Sequence, residues 1–173
     1  MTTYARFISL VFAGLFAGFL TGVLVLELSL RSFDSTVYTH VRLVELDALD
    51  KLAAATLLPA LITTAVLAYR TFRTNTRWLT VTALALLVVT FGLTLVVSVP
   101  INSDQLDWNP QSPPADWADT RDRWQIAHAV RTTAAVIAFA ALAFAALLPT
   151  RTRSQRHAQP VTASSGTRHA SRP

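Results

Sequence analysis

Five side chains that can exchange a proton, hold a charge or contact an aromatic ligand lie near the ends of long apolar segments: Glu27, Asn102, Trp124, His128 and Arg131. A helix that begins at Phe7 and rises about 1.5 Å per residue reaches Glu27 after about 30 Å, the thickness of a bilayer core. Asn102 follows the third apolar segment. Trp124, His128 and Arg131 have the i, i+4, i+7 spacing of one helix face. The spacing therefore predicts polar groups from three helices at one level, near one membrane boundary.

These residues could perform acid–base chemistry if they face inward. Glu27 and His128 are then candidates for proton transfer or metal binding, and Arg131 for stabilising an anion or an oxyanion. A charge that faces lipid costs about 2.5–3.5 kcal/mol near the bilayer centre. This cost favours a shared inward pocket over side chains that face the acyl chains.

Each of these residues also has a purely structural explanation. Glu27 and Arg31 are four residues apart, in the order that favours a helical ion pair. Arg131 could extend to the lipid headgroups, and His128 could bond a loop carbonyl. The amino-acid sequence alone leaves both explanations open.

A metal centre is less well supported. His40 and Glu45 could approach the same pocket from the second helix, and two histidines with carboxylates suit iron or zinc. However, no HxxxH or ExxH spacing occurs, and the chain has no cysteine. We therefore predict no metal site and assign no cofactor.

Four apolar segments must position these side chains. Hydrophobic residues make up 52% of the 173-residue chain and charged residues only 14%, against about 25% in a soluble domain. Within a bilayer only helices or closed barrels satisfy the backbone, and the segments lack the alternation of a barrel strand. We predict an all-α bundle of four transmembrane helices in one domain of residues 1–149, with the helices at 7–30, 36–71, 78–100 and 122–149.

The segments that flank the apolar runs have recognisable local signals. Asp34 or Ser35 can cap the second helix, which we expect to begin outside the membrane and continue as one long rod. Three prolines predict an irregular interfacial loop over residues 101–123. The tail, residues 150–173, is basic, has little to bury, and is predicted to be disordered.

Charge is distributed unevenly between the two ends. Arginines without acids flank one set of helix ends, among them Arg70, Arg73 and Arg77, whereas nine of the ten acids lie in segments 31–51 and 101–123 or at their edges. Because basic short loops stay in the cytoplasm, we predict that both termini are cytoplasmic. The arginine-rich composition suggests a bacterial plasma membrane. This topology explains the positive charge without nucleic acid binding.

Small residues form a stripe on the first helix, where Gly14, Gly18 and Gly22 make two overlapping GxxxG units. Small residues let two helix backbones approach closely in lipid. The stripe predicts close packing against another helix of the same chain, with a homo-oligomer interface as the alternative.

Two short motifs resemble those of the anthrone oxygenase-like family of small, four-helix integral membrane proteins. Residues 99–102 read Val-Pro-Ile-Asn, and Trp124 is followed by His-Ala-Val-Arg-Thr at residues 128–132. The family typically has Val-Pro-x-Asn after the third helix, then a tryptophan and (Asn/His)-x-x-Arg-Thr at the head of the fourth. The resemblance covers about residues 7–148, and a glycine-rich first helix that ends near Glu27 also fits it.

The resemblance implies an enzyme that oxidises a hydrophobic aromatic substrate from the bilayer, as anthrone oxygenases convert an anthrone to an anthraquinone with O₂. Carried over by position, Asn102, His128 and Arg131 are expected to be catalytic together with Glu27, and Trp124 is expected to bind substrate. His128 or Glu27 would remove a proton, and Asn102 and Arg131 would stabilise the enolate while O₂ reacts.

The alternative to an enzyme is a non-catalytic membrane subunit or scaffold that packs through the glycine stripe. A transporter is disfavoured, because the sequence has neither a pair of charges at mid-membrane nor an inverted repeat.

Overall fold

The computed structural model describes residues 2–149, which form four long helices. Each helix is long and apolar enough to cross a membrane. The all-helical, four-span architecture is therefore confirmed, and the predicted disordered tail lies outside the described residues. The helices are α1 (Thr2–Ser29), α2 (Ser35–Thr71), α3 (Arg77–Leu106) and α4 (Trp117–Leu147).

The four helices form a ring in which sequence neighbours are also spatial neighbours. α1 packs against α2 and α4, and α3 packs against α4 and α2. Short connections make successive helices antiparallel. As a result, the end of α1, the start of α2, the end of α3 and the start of α4 meet at one end of the bundle. We call this the acidic end, and the opposite end, with Arg70, Arg73 and Arg77, the basic end.

α2 is a single helix of 37 residues, and its beginning is fixed by a capping bond. The Asp34 carboxylate accepts a hydrogen bond from the Val37 backbone N–H at 2.9 Å, which satisfies one of the free N–H groups of the first turn. Val37 and Val44 near the start of α2 are exposed, Val44 by 71%. Arg42 and Glu45 of the same segment are buried.

The connection between α3 and α4 is shorter than the predicted loop over residues 101–123. α3 continues to Leu106 and α4 begins at Trp117, so only residues 107–116 are irregular. Pro100 does not end α3, because it follows a π-helical segment, Thr94–Ser98, where the hydrogen-bonding register changes. This extra helical length carries Asn102 and Gln105 into the bundle.

The basic half of the bundle is packed with small and apolar side chains. Ala83, Leu87, Ala138 and Leu142 are among its buried residues. Threonines are buried there as well, and Thr71 donates its hydroxyl hydrogen to the backbone of its own helix. This half can therefore pack closely without any charged group.

Exposed charges on α2 mark a second boundary about one bilayer thickness from the basic end. Asp47, Asp50 and Lys51 are exposed, and Asp50 lies about 30 Å along α2 from Arg70, at about 1.5 Å per residue. The hydrocarbon core has about this thickness. The acidic end of the bundle thus coincides with the edge of the apolar zone.

Candidate functional site

A buried arginine on α2 is the centre of a polar cluster at the acidic end. Arg42 is 3% exposed and donates hydrogen bonds to side chains from α1, α2 and α3. Its Nε bonds Gln105 Oε1 at 2.8 Å, and its Nη2 bonds Asn102 Oδ1 at 2.7 Å. Its Nη1 contacts Glu45 Oε2 at 2.8 Å and Glu27 Oε1 at 3.3 Å. All of its guanidinium nitrogens are therefore engaged.

Two buried carboxylates share the charge of this arginine. Glu27 is fully buried, and its second oxygen accepts a hydrogen bond from Gln125 Nε2 at 2.9 Å. Glu45 uses one oxygen toward Arg42, and its Oε1 accepts no hydrogen bond within residues 2–149. Of the two acids, only Glu45 thus has an oxygen without a hydrogen-bond partner in the described part of the chain.

Asn102 and Trp124 join α3 to α4 within the cluster. The Asn102 carbonyl accepts the Trp124 indole N–H at 2.8 Å in addition to the bond from Arg42. Its amide nitrogen bonds both carboxylate oxygens of Asp50, at 3.1 and 3.0 Å. The Arg42 guanidinium lies 3.9 Å from the centre of the Trp124 ring, within the range of a cation–π contact. Asn102 is fully occupied by these neighbours and so holds the cluster together.

His128 and Arg131 form a pair deeper in the bundle. Arg131 Nη2 lies 2.8 Å from His128 Nδ1, and His128 Nε2 lies 3.0 Å from the Leu20 carbonyl. Because arginine can only donate, Nδ1 must be the acceptor, and the His128 proton must be on Nε2, where it bonds the carbonyl. His128 is therefore neutral in this arrangement, and both of its nitrogens are engaged.

Arg131 has no carboxylate among its hydrogen-bond partners in the described part of the chain. Its Nη1 donates to the Thr94 hydroxyl at 3.0 Å, and its Nε has no acceptor among residues 2–149. Thr94 begins the π-helical segment of α3, and Ser98, which ends it, is buried with a hydroxyl that has no partner among the same residues. The π-helical segment thus contributes polar groups beside Arg131, as such segments often do at functional sites.

These groups lie around a cavity of about 240 Å³. Its polar side is formed by residues of the cluster, and its apolar side by residues that include Phe16, Leu57 and Phe91. Glu45, Ser98 and Arg131 all line it, and each has one polar atom without a hydrogen-bond partner. Buried polar atoms normally have partners. The cavity therefore has a carboxylate, a hydroxyl and a guanidinium group among its lining side chains, next to an apolar chamber.

Comparison with known protein families gives a match over the second half of the bundle and the end of its first half. The family model of anthrone oxygenase matches residues 50–141, more than half of the chain. The chain belongs to the anthrone oxygenase family. No curated protein and no solved structure matches it.

The anthrone oxygenase match includes most of the cavity but not all of its polar groups. Asn102, Ser98 and Arg131 fall within residues 50–141. Arg42 and Glu45 lie before the matched region. The first half of this anthrone oxygenase family member therefore supplies the central arginine and the free carboxylate oxygen from outside the matched segment.

All five residues that the sequence singled out are buried, and four of them line the cavity: Asn102, Trp124, His128 and Arg131. Glu27 lies behind the lining, against Arg42 and Gln125. The alternative ion pair between Glu27 and Arg31 does not form, because Arg31 instead bonds Asp122 at 3.2 Å and Gln125 at 3.1 Å. Arg131 does not extend to headgroups, and His128 bonds a carbonyl of α1 rather than of a loop.

Sequence analysis missed Arg42, Ser98, Gln105 and Gln125. A signal for Arg42 was present, because Arg42 and Glu45 have the i, i+3 spacing of an ion pair. No comparable signal marked Ser98, which acquires its position from the π-helical segment.

His40, a weaker candidate from the sequence, does not reach the cavity. It is exposed, and its Nδ1 lies 2.9 Å from the Thr36 carbonyl of its own helix. Across residues 2–149 no group of three or more His, Asp or Glu side chains is placed to hold a metal ion. Glu45, its companion in that hypothesis, does line the cavity.

The glycine stripe has two different environments. A Cβ atom at Gly14 would lie 3.0 Å from the Phe139 ring of α4, so this glycine permits close packing inside the bundle. At Gly18 and Gly22 no atom lies within 4 Å of such a Cβ position. Packing within the chain therefore explains Gly14 but not the other two.

Proposed function

We propose that this protein is a membrane-embedded oxygenase that oxidises a hydrophobic aromatic carbon acid, of the anthrone type, with O₂. The observation that carries the proposal is the cavity, where an apolar chamber is lined on one side by the polar side chains of Glu45, Ser98 and Arg131. Such a chamber suits a ring system, and the polar atoms suit a single carbonyl and the acidic carbon of the same molecule. Family membership supports the same reaction class.

In this proposal Glu45 is the base that removes a proton from the substrate methylene. Glu27 and His128 are weaker candidates, because both Glu27 oxygens and both His128 nitrogens are engaged within the protein. Glu45 has a free oxygen and lines the cavity. His128 instead orients Arg131, and Asn102 orients Arg42 and Trp124.

Loss of the proton places negative charge on the substrate carbonyl oxygen. Arg131 and Ser98 line the cavity, and their side chains would donate hydrogen bonds that stabilise this enolate. The carbanion then transfers an electron to O₂, and combination of the two radicals forms a carbon–oxygen bond. The resulting hydroperoxide loses water and leaves a second carbonyl. One O₂ is thus reduced to a carbonyl oxygen and one water as the methylene carbon is oxidised.

Oxygen uptake with an anthrone, measured on the protein in lipid nanodiscs, tests this function. A Glu45→Gln variant keeps the shape of the side chain but removes the base, so we expect turnover to fall about 100-fold or more. Asp47→Asn is the matched control, because Asp47 is exposed on the same helix and does not line the cavity. Turnover of Glu45→Gln equal to that of wild type would exclude this mechanism.

A second candidate function is a membrane subunit or scaffold, favoured by the open space at Gly18 and Gly22. In this case a second copy or another membrane helix would cover these glycines. Gly22→Leu should then convert a larger assembly to a monomer in nanodiscs, as measured by light scattering. A monomeric wild-type protein would remove this candidate in its homo-oligomeric form.

We also propose that both termini are cytoplasmic and that the acidic end faces the outside of a bacterial plasma membrane. The arginines at the basic end support this orientation. Because the chain has no cysteine, single cysteines report topology directly. A membrane-impermeant maleimide added to intact cells should label Gln111→Cys but not Arg73→Cys. The reverse pattern would invert the topology.

A further inference from the structure

The walls of the cavity differ in how well they are covered. On the side of α1 and α4, lining residues such as Leu20 and His128 are buried. On the side of α2 and α3, Leu58, Leu95 and Val99 line the cavity and are 45%, 51% and 48% exposed. The lining residues that are about half exposed lie between α2 and α3, and this is where we place the opening of the cavity.

The packing between α2 and α3 is the sparsest of the four helix contacts in the ring. One feature of each helix accounts for this. α2 presents Ala53 and Ala54 there, whose side chains are too short to close the gap. α3 contributes its π-helical segment, Thr94–Ser98, at the same level. The opening is thus a property of the residues on both helices.

The depth of the opening places it within the hydrocarbon. Leu58 lies about 18 Å along α2 from Arg70, and Leu95 lies about 25 Å along α3 from Trp78, at about 1.5 Å per residue. Both distances fall inside a core about 30 Å thick. Asp50, which also lines the cavity, lies at the far boundary of this core. An apolar compound dissolved among the acyl chains would therefore meet the opening without passing through water.

We propose that ligands enter the cavity sideways from the bilayer through this opening, whose border is formed by Ala54, Leu58, Leu95 and Val99. The ligand class is a ring compound that partitions into lipid and has one polar edge. Its apolar body can cross the border directly, and its polar edge then meets Arg131 and Ser98. The identity of the ligand rests on the proposed function, but the route itself does not.

Fluorescence quenching of Trp124 measures the route without any turnover. Replacing the other three tryptophans by phenylalanine (Trp78→Phe, Trp108→Phe and Trp117→Phe) leaves Trp124, which lines the cavity, as the single reporter. In this background, bromoanthracene dissolved in the vesicle membrane should quench Trp124. Ala54→Phe should slow quenching several-fold by narrowing the opening. Ala55→Phe is the matched control, because Ala55 is exposed on the same turn and does not line the cavity.

A second pair of variants gives an independent test in case Ala54→Phe does not fold. Leu95→Phe should also slow quenching, whereas Val96→Phe should not, because Val96 is 75% exposed and faces away from the cavity. Equal rates within both pairs would overturn the lateral route. Quenching of Trp124 by aqueous acrylamide but not by bromoanthracene would also overturn it. A protein that fails to oxidise anthrones could still pass this test, so the two proposals fail separately.

Discussion

The two halves of the bundle bury different kinds of side chain at opposite ends of the same four helices. The basic half is filled by alanine, leucine and threonine, and its Thr71 hydroxyl bonds its own helix and the Thr80 hydroxyl. The acidic half buries two arginines and two glutamates, joined across helices by hydrogen bonds. Close packing of small residues suffices to hold membrane helices together. A network of buried charges is costly and is not needed for stability. The comparison fits a division in which the basic half serves assembly and the acidic half serves the proposed ligand chemistry.

Removal of Arg42 should have the largest effect. Arg42→Met leaves Glu27 and Glu45 without their shared cation, which for a buried pair costs about 3–5 kcal/mol of the free energy of unfolding. SDS unfolding in bicelles measures this loss. A loss well below this range would mean that the cluster is not a buried charged network. The two halves would then not differ in the kind of side chain that they bury.

Replacing all three charged residues of the network tests whether their charges serve stability or the proposed reaction. If the glutamates are changed together with the arginine (Arg42→Met, Glu27→Met and Glu45→Met), no charge is left unpaired at this site, and most of the lost stability should return. Oxygen uptake should remain absent, because the proposed base is gone. Recovery of both stability and activity would contradict the assignment of chemistry to this half.

In the basic half, Leu87 provides the comparison with apolar packing. Leu87 is fully buried, and Leu87→Ala should destabilise the protein by about 2–5 kcal/mol through the cavity that it leaves. In contrast to Glu45→Gln, this variant should keep its oxygen uptake once it is folded in nanodiscs. Abolished turnover in folded Leu87→Ala would show that the halves are not separable.

Much of this architecture was predictable from the sequence, because apolar length alone defines a membrane helix. Helical rise also placed Glu27, Asn102 and His128 near one end, where the structure has them. The role of Arg42 could not be found in the same way, because its i, i+3 spacing to Glu45 fits a solvated ion pair equally well until its partners on other helices are known. Ser98 could not be predicted either, because a π-helical segment rotates the residues that follow it relative to a regular α-helix, and α-helical spacing does not include this rotation. The sequence thus predicted the polar residues that lie near helix ends, and it missed those whose positions depend on contacts between helices.

The glycine stripe should show a smaller effect. Gly18→Ala places a methyl group in open space and should stabilise α1 by about 0.5–1 kcal/mol through helix propensity. Gly14→Ala should gain less, because its methyl group meets Phe139. SDS unfolding in bicelles compares the two variants. Destabilisation by Gly18→Ala would instead indicate a partner against this face, as the scaffold hypothesis requires.

The smallest effect is expected at the surface of the acidic end. Arg31 and Asp122 form an ion pair whose side chains are 47% and 42% exposed, and such pairs contribute about 0–1 kcal/mol. Arg31→Ala should therefore change stability far less than Arg42→Met in the same unfolding assay. A loss as large as that of Arg42→Met would mean that exposure does not separate the two arginines.

Proton removal from the carbon acid is the central claim, and it can be measured without O₂. Under anaerobic conditions in D₂O, NMR follows the exchange of the anthrone methylene hydrogens for deuterium in the presence of the protein in nanodiscs. We expect exchange well above the rate without protein, lost in Glu45→Gln and retained in Asp47→Asn. Exchange that Glu45→Gln leaves unchanged, or no exchange above background in wild type, would contradict the account.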